Sequence, residues 1–191
     1  GQYTVNEARV LNLFGGLRRD MESLSLASYF AQVSEVLSQE DYPTPELQSL
    51  LLNSLYVLSE LKLPLAQVKA VFELRSACIA GFTPDLYGCH VCGSQMPTRF
   101  DLSSGLLECA ACRDTASAGI RLPISPAMLE AMRFICFCDP KKLFSFRLDD
   151  GALEQLAALT EGFLTTQLER GFPALDFYKS LCFRADTPGA T

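Results

Sequence analysis

The chain has 191 residues, of which 49% are apolar and 20% are charged, and its formal net charge is −6. This composition excludes a disordered chain, a collagen-like chain and a coiled coil, and the length suffices for a hydrophobic core. The acidic excess argues against a dedicated polyanion-binding surface, which needs surplus basic side chains. A single histidine and no recognisable nucleophile motif leave little material for acid–base catalysis, so we predict that the chain is not an enzyme.

The most apolar stretches of the sequence are short. The runs Leu50-Leu51-Leu52 and Ile79-Ala80-Gly81-Phe82 are far below the ~18 apolar residues of a membrane-spanning helix. The first residues also lack the basic region and apolar core of a signal peptide. We therefore predict no contact with a membrane and a cytoplasmic location.

Three amphipathic helices are predicted before the middle of the chain. The first spans residues 18–39, where apolar residues recur at intervals of three and four. Thr44 and Pro45 form a capping residue followed by a proline at the first helical position, and the leucine stripe of this second helix extends to Leu61. The third helix spans residues 63–81 and ends at a glycine.

Two C-x-x-C pairs follow the third helix, Cys89/Cys92 and Cys109/Cys112, with sixteen residues between them. Each pair places two thiolates on one side of a tight turn, and two facing pairs can close four sulfurs around one ion at about 2.3 Å. Four thiolates leave no open coordination position, so we predict one structural Zn²⁺ and no catalytic metal.

The segment between the two pairs predicts a β-hairpin. Residues 98–102 alternate between polar and apolar, Ser103-Ser104-Gly105 supplies a turn, and residues 106–108 supply the returning strand. We assign residues 84–118 to this zinc-finger-like insertion.

Other interpretations of the cysteines remain open. Structural disulfides form in oxidising compartments, for which the sequence carries no signal, and redox C-x-x-C motifs usually stand singly at a helix start in a βαβ unit. His90 lies inside the first pair, but four cysteines already complete a tetrahedral site. The remaining cysteines lie in apolar surroundings and are expected to be buried as small hydrophobic side chains: Cys78, Cys136, Cys138 and Cys182.

Three more helices are predicted after the insertion. The fourth starts after Ser125 and Pro126, the fifth is capped by Asp149 and Asp150, and a short sixth spans residues 175–181. We predict a helical domain over residues 3–182 and a disordered tail over residues 183–191. The predicted fold is an all-α helical bundle with an inserted four-Cys zinc-binding β-hairpin.

Candidate partner-binding residues lie near the fourth helix. A cationic rim beside an apolar groove suits an acidic, hydrophobic peptide end, whereas solvated surface charge is the simpler interpretation. The adjacent basic pairs of the sequence are Arg18-Arg19 and Lys141-Lys142. The candidates that we assign to partner binding are Arg121, Arg133, Lys141 and Lys142.

Several stretches of the chain resemble the RecO family of bacterial recombination mediators, and the resemblance extends over about residues 3–182. The order of these stretches, more than any one of them, carries the resemblance. They are Phe14-Gly15-Gly16-Leu17-Arg18-Arg19-Asp20, Phe72-Glu73-Leu74-Arg75, Gly81-Phe82-Thr83-Pro84-Asp85-Leu86, Cys89-His90-Val91-Cys92-Gly93 and Leu175-Asp176-Phe177-Tyr178-Lys179-Ser180-Leu181.

The resemblance implies a non-catalytic protein of RecF-pathway repair that anneals strands and, with RecR, helps to load RecA onto DNA coated by the single-stranded-DNA-binding protein SSB. It also implies that an N-terminal OB-fold supplies most of the DNA contact, while the helical, zinc-containing region binds partners, including the acidic SSB tail. Nothing before Arg18 could supply the five strands of an OB-fold, so we expect this chain to be the C-terminal region of such a protein. The alternatives are a zinc-ribbon module for protein interaction or transcription, and a thiol redox protein.

Overall fold

The computed structural model of the chain describes residues 4, 6–38, 43–60, 63–112 and 119–185. These residues form a helical body with a small antiparallel sheet, which confirms the predicted fold class. The elements are α1 (Met21–Leu37), α2 (Pro45–Glu60), α3 (Leu65–Ile79), β1 (Arg99–Asp101), β2 (Leu107–Glu108), β3 (Arg121–Pro123), α4 (Pro126–Phe137), α5 (Asp150–Gln167) and α6 (Pro173–Ala185).

The helix starts follow local capping chemistry. The side chain of Ser125 accepts the N–H of Met128 at 3.2 Å at the start of α4, and α2 and α5 begin at the predicted Pro45 and Asp150. Helix α1 differs from the prediction, because it begins at Met21 and not near Arg18. The reason is Asp20, whose carboxylate accepts the N–H groups of the first turn and so fixes the start of the helix.

Helix α3 lies at the centre of the body and contacts α1, α2, α4 and α5. Its Phe72 ring stacks on Phe30 of α1, with the ring centroids 4.0 Å apart. Even polar side chains of α3 are buried, among them Gln67, Lys69 and Glu73. A helix that is enclosed on all sides needs partners for such groups, because an unpaired buried polar group is costly.

The sheet has the strand order β2-β1-β3. The predicted hairpin is present, with Phe100 of β1 opposite Leu107 of β2, and Gly105 in its turn has a φ of 69°. Strand β3 pairs with the other edge of β1 and was not predicted. It lies just beyond residue 118, where we expected the insertion to end, and residues 113–118 lie outside the described part of the chain.

The hairpin packs directly on the helical body. The fully buried ring of Phe100 meets Phe163 of α5 edge to face at 5.3 Å between centroids. At the turn, the Gln167 side chain donates to the carbonyls of Leu102 and Ser103 at 2.9 and 3.0 Å. The hairpin therefore shares the core of the helices and is not a separately tethered finger.

The last helix is longer than the sequence predicts. Helix α6 runs to Ala185, so residues 183–185 of the predicted tail belong to it, while residues 186–191 lie outside the described part. The C-terminal end of α1 and the start of α6 are joined through the Gln32 side chain, which accepts the N–H of Ala174 at 3.2 Å. Among the helices described, none is long and apolar enough to cross a bilayer.

Candidate metal centre

The first cysteine turn is held by its own backbone and by the sheet. The N–H of Cys89 donates to the Ser94 carbonyl at 2.9 Å, and the N–H of Gly93 donates to the Cys89 carbonyl at 2.8 Å. Gly93 has a φ of 72°, a conformation that glycine adopts without the strain of a side chain. The N–H of His90 donates to the Leu107 carbonyl at 2.9 Å and so attaches the turn to β2.

The second cysteine turn follows β2 without a spacer. A 3₁₀ turn over Ala110–Cys112 carries it, and the N–H of Cys112 donates to the Cys109 carbonyl at 3.2 Å. The N–H of Cys109 points at the sulfur of Cys89, with 3.4 Å between the two atoms. The hairpin thus returns the second pair of cysteines to the first.

The structure brings the four predicted cysteines together. The Sγ atoms of Cys89, Cys92, Cys109 and Cys112 all lie within 4.8 Å of one another. The Cys92–Cys109 separation of 3.7 Å is close to the edge of about 3.8 Å in a tetrahedron with metal–sulfur bonds of about 2.3 Å. All eight cysteines are free thiols in this structure, and the four that converge could hold a metal ion.

The ionisation of the cluster also fits a cation. Although desolvation raises the pKa of Cys89, the N–H groups of Cys92, Cys109 and Val91 lower it to about 6. Hydrogen bonds with Cys109 and Cys92 raise the pKa of Cys112 to about 12. Four thiolates can coexist at such distances only around a positive ion, so the donors suit a metal that binds sulfur.

A buried ion cluster joins the three strands next to the four cysteines. Arg121 Nε is 2.9 Å from a carboxylate oxygen of Glu108 and 3.6 Å from one of Asp101. His90 Nε2 lies 3.5 Å from the other oxygen of Glu108. The Arg121 side chain is only 12% exposed, so this candidate partner-binding residue holds β3 to β1 and β2.

The other candidate cations lie in two different settings. Arg133 donates from Nε and from a terminal nitrogen to the Leu86 carbonyl at 2.8 and 2.7 Å, and it pairs with Glu130. It therefore fastens α4 to the segment before the first cysteine turn. Lys141 and Lys142 are exposed on the 3₁₀ turn that follows α4. Arg121 and Arg133 therefore make contacts within the protein, whereas Lys141 and Lys142 are exposed.

A polar network in the helical core was missed by sequence reasoning. Glu73 accepts from Tyr29 at 2.9 Å, from Thr160 at 2.8 Å and from Lys69 at 3.1 Å. Lys69 also lies 2.8 Å from a carboxylate oxygen of Glu161. Burial raises the pKa of Glu73, and the Lys69 ammonium opposes that shift. The one signal in the sequence was the four-residue spacing of Lys69 and Glu73, which usually marks a pair on an exposed helix face.

Comparison with known proteins agrees with this architecture. A family model described as Recombination protein O C terminal matches residues 18–176. The DNA repair protein RecO of Acetivibrio thermocellus is 31% identical over 185 residues, which cover 94% of this chain and 71% of that protein. The RecO protein of Desulforudis audaxviator is 29% identical, and the match covers 93% of this chain and 70% of that protein. The RecO protein of Alkaliphilus metalliredigens is 25% identical, and the match covers 94% of this chain and 73% of that protein. The sequence resemblance is thereby confirmed, and the chain belongs to the RecO family of DNA repair proteins.

Proposed function

We propose that this chain is a non-catalytic, partner-binding region of a RecO protein, acting in RecF-pathway recombination. In this role it supports strand annealing and the loading of RecA together with RecR and SSB. The match to RecO proteins over nearly the whole chain carries the proposal. The closed set of four thiols supports a structural role for the metal, because no coordination position is left for a substrate.

The metal of this proposal is one Zn²⁺, held by Cys89, Cys92, Cys109 and Cys112. Thiolates are soft ligands that select zinc over magnesium or calcium. Bound there, the ion supplies the positive charge that lets all four sulfurs ionise together. The hairpin is then locked at both cysteine turns, while Phe100 and Leu102 keep its other side on the helices.

In the proposal, DNA binds mainly to the OB-fold that the RecO resemblance implies, and this region binds proteins. The net charge of −6 supports that division, since a DNA-binding face needs basic side chains. Four thiolates around one Zn²⁺ make the local charge more negative by about two. The proposed location is the bacterial cytoplasm, where reducing conditions keep such thiols available to a metal.

The acidic SSB tail has a candidate site at the exposed lysine pair. A groove of about 480 Å³ is lined by Tyr56, Val57, Phe144 and Lys141 among others, and Lys142 follows next in the chain. Its aromatic and aliphatic walls can bury apolar side chains, while the two ammonium groups pair with carboxylates. Arg121 and Arg133 act indirectly in this proposal, because their side chains already hold the hairpin.

A peptide titration tests the partner site. Fluorescence anisotropy of a labelled acidic SSB tail peptide is measured with the parent chain and with the double variant Lys141→Glu/Lys142→Glu. Two rim ion pairs at about 0.7 kcal/mol each predict roughly tenfold weaker binding. The charge-matched control Arg18→Glu/Arg19→Glu is expected to bind as the parent does. Equal losses in both variants, or no loss in either, would contradict the site.

A second titration tests the division of labour. Labelled single-stranded DNA is titrated with this chain at low ionic strength, where any electrostatic binding is strongest. We expect weak binding at most, because the chain is acidic. Tight binding of DNA by this chain alone would overturn the assignment of DNA contact to an OB-fold.

A further inference from the structure

Two cysteines outside the metal centre lie next to each other in space. Cys78 is in the last turn of α3 and Cys136 is in the last turn of α4, with their sulfurs 3.6 Å apart. Both line a cleft of about 460 Å³ between the start of α2 and the 3₁₀ turn that follows α4. Cys136 is buried and Cys78 is partly exposed, so a small molecule in the cleft reaches Cys78 first.

Arg75 gives this pair a chemical asymmetry. It lies one turn before Cys78 on α3, and its guanidinium donates to the carbonyls of Ile135 and Cys136 at 3.1 and 2.5 Å. The hydrogen bond with Cys136 and the charge of Arg75 lower the pKa of Cys78, although burial opposes them. The hydrogen bond with Cys78 and burial raise the pKa of Cys136. The pair therefore combines one thiol whose pKa is lowered with one whose pKa is raised.

We propose that Cys78 and Cys136 form a reversible disulfide when the protein meets hydrogen peroxide. The Cys78 thiolate attacks the peroxide, the O–O bond breaks, and a sulfenic acid forms at Cys78 while the other oxygen leaves as water after protonation. The Cys136 sulfur then attacks the Cys78 sulfur, loses its proton, and displaces the hydroxyl as a second water. The peroxide receives the two electrons that the two thiols lose.

The position of the pair gives the disulfide a structural effect. Bond formation draws the sulfurs from 3.6 Å to about 2.05 Å and ties the end of α3 to the end of α4. These helices precede and follow the hairpin, and the two cysteines are 58 positions apart. The disulfide therefore closes a loop that contains the whole metal centre, and loop closure of this length stabilises a fold. This switch is independent of the proposed DNA repair role.

Peptide mapping tests the pair directly. The zinc-loaded chain is treated with an equimolar amount of hydrogen peroxide, alkylated, digested without reductant and analysed by mass spectrometry. The expected product is a Cys78–Cys136 linked peptide that has lost two hydrogens and that dithiothreitol separates. The melting temperature is expected to rise by several degrees on oxidation and to return on reduction. Oxidation confined to Cys92 and Cys109, or a link from Cys78 to Cys138, would overturn the proposal.

Two single variants complete the test. In Cys136→Ser, the thiol proposed to trap the sulfenic acid is gone, so Cys78 is expected to progress to the sulfinic acid. Cys138→Ser is the matched control. It removes the thiol two positions after Cys136 in the sequence, which has no part in the proposed reaction. It is expected to form the linked peptide as the parent does. Loss of the linked peptide in Cys138→Ser, or an unreactive Cys78 in Cys136→Ser with helical circular dichroism intact, would contradict the mechanism.

Discussion

Replacing Glu73 by leucine is expected to destabilise the helical body by about 3 kcal/mol. The carboxylate is fully buried and accepts hydrogen bonds from Tyr29, Lys69 and Thr160. Removing one partner of a buried ion pair costs about 3–5 kcal/mol. The lower end applies here, because Lys69 retains Glu161 at 2.8 Å and Thr160 retains the Ala157 carbonyl at 3.3 Å.

The measurement is urea unfolding followed by far-ultraviolet circular dichroism, with every variant in the same zinc-containing buffer. Tyr29→Phe alone is expected to cost about 1 kcal/mol, since it removes one hydrogen bond and leaves two donors on the carboxylate. In the double variant Tyr29→Phe/Glu73→Leu, the buried hydroxyl that would lack an acceptor is gone. The double variant is therefore expected to lose less stability than the sum of the two single variants by about 1 kcal/mol.

Two results would refute this reasoning. If Glu73→Leu is as stable as the parent, the carboxylate contributes no net stability and the network is replaceable by apolar packing. If the losses of stability in the two single variants add without coupling, the 2.9 Å hydrogen bond between Tyr29 and Glu73 does not contribute to stability.

Three further predictions concern the hairpin and the first helix. Cys109→Ser is expected to lose zinc and loosen the hairpin while helical circular dichroism persists, and loss of all helical signal would contradict it. Phe100→Ala removes a fully buried ring that contacts Phe163, so it should lower the free energy of unfolding by about 3–5 kcal/mol. It should also speed zinc transfer to a chelator. An unchanged transfer rate would show that the hairpin and the helices are uncoupled. Asp20→Ala should cost about 1 kcal/mol at neutral pH, because the carboxylate caps α1. The Ser23 hydrogen bond lowers the pKa of Asp20 below its ordinary 3.8, so this difference should shrink as the pH falls below 3.8, and a constant difference would contradict the cap.

The features that the sequence predicts correctly depend on neighbours in the chain. The starts of α2, α4 and α5 follow from Pro45, Ser125 and Asp149, whose effect on the backbone is local. The convergence of the four cysteines was predictable for the same reason. Each C-x-x-C turn forms by itself, and the Gly105 turn between them returns one to the other.

The features that sequence reasoning missed depend on contacts between distant segments. Strand β3 has three residues and one of them is Pro123, so its strand character comes from pairing with β1. Lys69 and Glu73 carry the spacing of an exposed pair, and the packing of other helices, α1 and α5 among them, buries them. Cys78 and Cys136 were each expected to be buried singly, because a separation of 58 positions carries no local signal.

The metal content of the intact chain tests the central claim most directly, namely that four converging thiols hold one structural zinc ion. Native mass spectrometry is applied to the chain purified without chelator, to Cys92→Ser/Cys112→Ser, and to the matched control Cys138→Ser/Cys182→Ser. The account predicts one zinc ion in the parent and in the control, and none in Cys92→Ser/Cys112→Ser. A folded parent without zinc, or zinc retained after loss of Cys92 and Cys112, would contradict it.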